Sequence, residues 1–408
     1  MKDNLFEYCE EFFNELEIYN DINNGETNKK DFIHAIRGFV NSTDNDNENE
    51  KAIEIYEVFS RAYWMIKNDD SILAMVKEMK FFEERAGVLT EKQRDHFVHS
   101  VNVFLLGLAI YIRMPNYRKS FEKYITFGNE YNDYYKTKHE EFLYRWGIAS
   151  LFHDIAYPIE ISLKQLTSYL TFVSEKCGLD NNILKASVTI KNSEAFNLLP
   201  KMNPKKEFDN EFFLKYPKFK ENATNSLSLM ALELSQSFGI DFSEIEKAMY
   251  GYIEKMSSNN HIDHGYYSAL IVLRWFYKLV DKHEWNPSYF YYPILSSVTS
   301  IILHNYYKFG LMNLPFNMQR FDMKNHPLGF LLILCDELQD WGRTPYGVKD
   351  LKKVFPNKKN IEIYNNELTF EYLYVTPDWD GKLFAESKLE TINKVLQVDS
   401  LFNKFIII

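Results

Sequence analysis

The chain has 408 residues, 46% of them hydrophobic and 16% aromatic, which is enough apolar material for a large core and more than one compact core usually spans. Its formal net charge of -10 excludes non-specific nucleic-acid binding through a basic surface, so an anionic substrate has to be received by metal ions and a local cluster of cations. Three widely spaced cysteines, Cys9, Cys177 and Cys335, without a CxxC pair, argue against a disulfide framework and fit a reducing cytoplasm.

The opening run MKDNLFEYCEEFF is acidic too early for a signal peptide. Residues 1–20 read as an amphipathic helix with Leu5, Phe12, Leu16 and Tyr19 near one stripe. Residues 41–51, NSTDNDNENEK, carry almost nothing to bury and read as an exposed loop or linker. The pattern from about 52 to 112 is helical; in the helix predicted over 93–112, Val101, Phe104, Leu105, Leu108 and Ile112 share a face. A loop is expected at Met114-Pro115-Asn116, and further helix over the charged, Tyr-rich residues 117–142.

Residues 143–156 are predicted as a largely apolar helix that Pro158 ends or bends. Two more helices are expected over 161–200. Residues 201–225 are Lys-rich with Pro204 and Pro217, and read as a solvated loop or a lid. Helices follow at 226–238, 241–257, 264–280, 293–308 and 327–341. No run approaches the ~18 apolar residues of a membrane span. Ile361 to Tyr364 and Leu368 to Val375 flank Asn365-Asn366 and read as a β-hairpin. A last helix over about 382–398 leads to the apolar tail FIII. The expected fold is therefore mainly α: a helical segment 1–90, a core 91–345 that includes an insertion 160–260, and a C-terminal hairpin and helix 346–408.

Ligand-type residues recur inside the apolar helices. His99 lies in the first, His153 and Asp154 in the second, His264 and His304 in two later ones, and Asp336 in the most apolar run, GFLLILCDELQDW. A carboxylate among Leu, Ile and Cys needs a strong partner, because an unpaired buried charge costs several kcal/mol; a metal ion is one such partner and an Arg the ordinary alternative. Four imidazoles and two carboxylates suit Mn, Fe, Co or Zn better than the all-oxygen shells of Mg or Ca.

These runs resemble the HD-domain superfamily. HSVNV at 99–103 is similar to the H-S-x-x-V that opens HD domains, and LFHDIAYP at 151–158 to their central L-x-H-D-I-G motif. DHGYYSAL at 263–270 and IILHN at 301–305 resemble the later histidine segments of binuclear members, and LILCDEL at 332–338 the closing Asp segment. The order H…HD…H…H…D spans residues 99 to 336. The resemblance implies an all-α metal-binding core and phosphohydrolysis of a nucleotide or nucleotide-like phosphoester by a metal-bound hydroxide. The site would hold two divalent transition-metal ions, Mn²⁺ or Fe²⁺ (Zn, Co or Mg as alternatives), on His99, His153, Asp154, His264, His304 and Asp336, with Asp154 as the bridge. If His264 and His304 are not ligands, one ion remains on the other four.

The run after the HD pair departs from the H-D-I-G-H-P-P-F-x-H of deoxynucleoside triphosphohydrolases, since Tyr157 and Glu160 replace the expected residues. A mononuclear enzyme of that type, a di-iron oxygenase resembling inositol oxygenase, and a non-catalytic nucleotide sensor are the alternatives. Tyr157 and His96 are candidates for positioning a phosphate and moving a proton. Arg94, Lys308 and Arg343 are candidates for holding the anion. Asp340, four residues after Asp336, is expected to orient a metal-bound imidazole. His326 reads as a helix start. A small phosphorylated partner, no membrane, no nucleic acid and a cytoplasmic location are expected, with self-association left open.

Overall fold

The structure, a computed structural model, describes residues 3–17, 29–42, 45–65, 71–87, 96–125, 138–177, 225–258, 262–282, 287–342, 356, 358–373 and 381–408. The fold is mainly α. In chain order the helices are α1 (Leu5–Glu15), α2 (Lys29–Val40), α3 (Asn45–Ala62), α4 (Ile72–Gly87), α5 (His96–Arg113), α6 (Pro115–Ile125), α7 (Lys138–Leu151) and α8 (Tyr157–Lys176). Then come α9 (Ser226–Phe238), α10 (Phe242–Ser258), α11 (His264–Lys282), α12 (Pro287–Tyr306), α13 (Pro327–Leu338) and α14 (Gly381–Val395).

Helix α5 is the axis of the molecule. Every residue from His96 to Ile112 is buried, as expected of a helix that is apolar all round. It is long and apolar enough to cross a membrane, and 94% of it is buried inside the fold. Helices α1, α3, α7 and α13 pack on it. Helix α7 approaches so closely that a Cβ on Gly107 would lie 2.1 Å from the Trp146 ring, and Trp146 Nε1 donates to the Phe104 carbonyl at 2.9 Å. Helix α11 packs along α12, and α12 in turn packs on α7 and α13. One continuous hydrophobic cluster runs from Leu5 to Ile407, so helices of the 1–90 segment and the C-terminal elements share it.

Three local expectations are corrected. The polar run at 41–51 is helical from Asn45, where α3 begins. From Asn45 on, its residues form the first turns of a helix that buries Asn49 and then Ala52, Ile55, Tyr56 and Phe59. The expected loop at 114–116 shrinks to Met114, with Pro115 opening α6, where its missing N–H costs nothing. The helix expected to 156 ends at Leu151, and the HD pair lies in the turn before α8. Of the two helices expected over 161–200, α8 is one; the Lys-rich 201–225 segment, apart from Asn225, lies outside the described residues.

The hairpin is present as β1 (Lys358–Tyr364) paired antiparallel with β2 (Glu367–Leu373). Asn365 and Asn366 both take positive φ, 48° and 62°, the pair of left-handed residues that matches a two-residue turn to the twist of its strands. The apolar tail forms a third strand, β3 (Lys404–Ile407), parallel to β2.

His326 caps α13, its Nδ1 accepting from the Gly329 N–H at 3.1 Å. Burial, assisted by the nearby Arg145 charge, depresses its pKa from 6.5 to about 3. The unfolded chain therefore binds the proton first, and stability falls as pH drops from about 6.5 toward 3. His326→Asn keeps a cap that does not titrate. It is expected to flatten this part of the pH–stability curve in denaturant titrations; an unchanged curve would contradict the assignment.

Candidate metal centre

Five segments bring six ligand-type side chains to one point. His99 lies in the first turn of α5, His264 opens α11, His304 lies in the last turn of α12, and Asp336 in the last turn of α13. His153 and Asp154 come from the turn between α7 and α8. That turn is pinned by the Tyr157 N–H to the Asp154 carbonyl at 2.8 Å. Ala156 N–H also donates to Ser268 Oγ of α11 at 3.0 Å. Buried Asp263 caps α11 by accepting from the Tyr266 N–H at 3.1 Å, which fixes where His264 begins.

The ligand atoms fall into two groups, His99 with His153 and Asp336, and Asp154 with His264 and His304. Within each group they lie within 4.8 Å of one another, and each group could hold a metal ion. Asp154 faces both. Its Oδ1 is 3.1 Å from His264 Nε2, and its Oδ2 is 3.4 Å from His153 Nε2 and 3.9 Å from His99 Nε2. Asp336 Oδ1 lies 2.8 Å from His99 Nε2 and 3.8 Å from His153 Nε2. Asp336 is at the open edge, its side chain 31% exposed, whereas Asp154 is buried.

Each imidazole is held from behind. His99 Nδ1 meets Gln339 Oε1, whose amide is fixed by a 2.9 Å bond from Nε2 to the Trp341 carbonyl. His153 Nδ1 donates to the Ser150 carbonyl at 2.7 Å and His304 Nδ1 to the Ile301 carbonyl at 2.5 Å. His264 Nδ1 meets Glu160 Oε2 at 2.5 Å. With the Nδ1 proton committed to these oxygens, the Nε2 lone pairs turn inward, the tautomer a metal requires. His264 Nε2 and His304 Nε2 are 3.1 Å apart, and two lone pairs at that distance repel unless a cation or a proton lies between them. Among the described residues, buried His153 Nε2 makes no well-formed hydrogen bond, with Asp154 Oδ2 3.4 Å away, an expensive state for a polar atom. The donor set fits a metal.

Without an ion, the charges redistribute among the same groups. Burial pushes the Asp154 carboxyl up, but His153 and His264 outweigh it and hold the carboxyl well below the usual range. Asp336 is also held low, against desolvation, by His153, His304 and His264. Burial pulls His264 down, yet Asp154 and Glu160 together raise it well above its ordinary value. His304, buried beside His264 and His153, is lowered. Burial opposes the charged form of Glu160, but the hydrogen bond with His264 and the Lys164 ammonium bring it to about 2.

His96 and Tyr157 form a wall beside this cluster, their rings stacked with centroids 3.4 Å apart. Glu83 holds His96 twice, through Nδ1 at 2.9 Å and the backbone N–H at 3.2 Å. Tyr157 also packs edge-on against His264, 5.6 Å away. Asp340 is not where its spacing suggested: it pairs with Lys388 of α14, and Gln339 orients the imidazole instead. Helix α13 ends at Leu338, so the i, i+4 register that pointed to Asp340 does not continue past that residue. Lys308 is exposed on a π turn, Tyr307–Leu311, with its ammonium over Phe309 and none of its contacts among the described residues made to a ligand. Arg94 and Arg343 lie outside the described residues.

Sequence reasoning missed Gln339, Glu83, Glu160 as a partner of His264, and Gly265. Glu160 carried a signal, as a carboxylate one turn into the helix after the HD pair; Glu83 sits on another helix and carried none. Glu160→Gln is expected to weaken metal retention about 10–100-fold, the usual effect of removing such a supporting carboxylate. A metal titration followed by calorimetry checks this, and affinity equal to that of the native chain would contradict it.

No protein-family model matches this chain, and no curated protein or solved structure matches it.

Proposed function

We propose that the chain is a metal-dependent phosphohydrolase of the HD-domain superfamily that cleaves a nucleotide or nucleotide-like phosphoester. The observation that carries this reading is the position of Asp154, with one oxygen toward His264 and the other toward His153 and His99. His99, His153 and Asp336 would hold one ion, His264 and His304 a second, and Asp154 would join them. The mixed imidazole and carboxylate set suits Mn²⁺ or Fe²⁺, with Zn²⁺ and Co²⁺ also compatible. Bound there, such a pair would activate water near neutral pH and take up the charge that develops on phosphoryl oxygens.

The protein's own residues set the rest of the chemistry. Gln339, Glu160 and the carbonyls of Ser150 and Ile301 keep the four imidazoles turned inward. Glu83 holds the ring of His96 through Nδ1, so Nε2 would be the nitrogen that passes a proton to a leaving oxygen. Tyr157 packs between His96 and His264 and limits the space beside the reacting group.

The test is a hydrolysis screen of Mn²⁺-loaded protein across nucleoside mono-, di- and triphosphates, cyclic nucleotides and dinucleotides, read by chromatography of the products, because opening a phosphodiester releases no free phosphate. Turnover of one class, lost in the His153→Ala plus Asp154→Ala variant, is the expected result. No turnover of any phosphoester by metal-loaded protein, or full activity in the double variant, would overturn the proposal.

A further inference from the structure

The ligand side chains of the centre are not equally enclosed. Those of His99, His153 and Asp154 are buried, whereas those of His264 and Asp336 are 17% and 31% exposed and mark its open side. Asn305, in the last turn of α12 next to His304, is part-buried beside His264. Its Nδ2 donates to Asp263 Oδ1 at 3.0 Å and lies 3.4 Å from His264 Nε2, the nitrogen that faces the centre. Asp263 is buried, and its carboxylate also accepts from the Tyr266 N–H at 3.1 Å and the Tyr252 hydroxyl at 2.8 Å. A carboxylate that only accepts fixes which end of the Asn305 amide is the donor. One N–H of Nδ2 is taken by Asp263, and the other is left on the His264 side. At 3.4 Å it makes a poor bond to the ring nitrogen, and with that lone pair given to a cation it makes none.

We infer that the second N–H of Asn305 donates to a phosphoryl oxygen of the substrate at the open side of the centre, beside His264. This rests on the phosphohydrolase reading. The ligand class is a tetrahedral oxyanion, whose oxygens are acceptors. An amide N–H takes no proton from water, so its use here is to hold an acceptor and not to activate the nucleophile. A neutral donor also suits a position next to cations, where an ammonium or guanidinium would be repelled. Asp263 holds the amide in place before any substrate arrives, so binding does not have to order this side chain.

The test is calorimetric binding of inorganic orthophosphate to Mn²⁺-loaded protein, with metal content and circular dichroism measured on the same samples. Asn305→Ala should lose about tenfold in orthophosphate affinity, the size of one hydrogen bond to a charged group, and keep its metal and its helical content. Tyr252→Phe removes a different donor to Asp263 and should keep native orthophosphate affinity, which separates donation to the anion from support of the carboxylate. Affinity in Asn305→Ala equal to native would overturn this inference alone. Metal loss in Asn305→Ala, or an equal loss of orthophosphate affinity in Tyr252→Phe, would overturn it too, by making the asparagine a support for Asp263 and α11. A metal-loaded native chain that hydrolyses a phosphoester but does not bind orthophosphate would overturn the inference and leave the phosphohydrolase reading standing. One that neither hydrolyses a phosphoester nor binds orthophosphate would overturn both.

Discussion

Asp154→Ala is expected to reduce phosphate release to background and to weaken metal binding in both ligand groups, with helical content unchanged. The residue sits in the turn between α7 and α8, so its loss removes no helical hydrogen bond and leaves no large cavity. It does remove the one carboxylate whose two oxygens face different groups, 3.1 Å from His264 Nε2 and 3.4 Å from His153 Nε2. The remaining ligands are then two imidazoles with Asp336 on one side and two imidazoles alone on the other. The first set keeps two imidazoles and a carboxylate and should lose affinity, whereas a cation left on two neutral imidazoles alone would be lost at ordinary concentrations. His304→Ala, by contrast, should deplete only its own group. Circular dichroism, metal content and a phosphate-release assay on both variants check the contrast. Undiminished turnover in Asp154→Ala would contradict it.

Gly265→Ala is the second substitution with a large expected effect, and it changes no ligand. A Cβ at this position would lie 2.3 Å from His304 Cε1, 2.8 Å from its Nδ1 and 3.1 Å from the Ile301 carbonyl oxygen. The ring has no free direction to move, because that same carbonyl holds its Nδ1 at 2.5 Å. The added methyl must therefore break the bond or separate α11 from α12. Overpacking of this kind costs about 1–3 kcal/mol, and a displaced imidazole should weaken metal binding about 10–100-fold. Gly107→Ala is the matched control. Its Cβ would lie 2.1 Å from the Trp146 ring, at the crossing of α5 and α7. It should lower the melting temperature comparably and leave metal affinity per folded molecule unchanged. Native metal affinity in Gly265→Ala would contradict the role given to that glycine.

The six side chains of the candidate centre were legible because the chemistry is conspicuous: a histidine or aspartate inside an otherwise apolar run has to be compensated. The hairpin was legible because two adjacent asparagines tolerate the left-handed backbone that its turn requires. What the sequence hid was mostly set by where helices stop. LFHDIA continues the apolar pattern of α7, but the backbone turns after Leu151, which lets His153 and Asp154 face the same cluster. The end of α13 at Leu338 likewise sends Gln339 to His99 and Asp340 to Lys388, reversing the expectation from spacing. The FIII tail became a strand through a parallel pairing with β2, residues distant in sequence, which no local pattern encodes. Glu83 reaches His96 from another helix and was invisible for the same reason.

The most direct test of the account is the metal content, by elemental analysis, of protein purified without chelator, measured for the native chain and for His304→Ala. The account predicts about two transition-metal ions per native chain, the stoichiometry of a paired site, and about one in the variant. A native chain that carries no metal, or one ion that the variant retains in full, would contradict it.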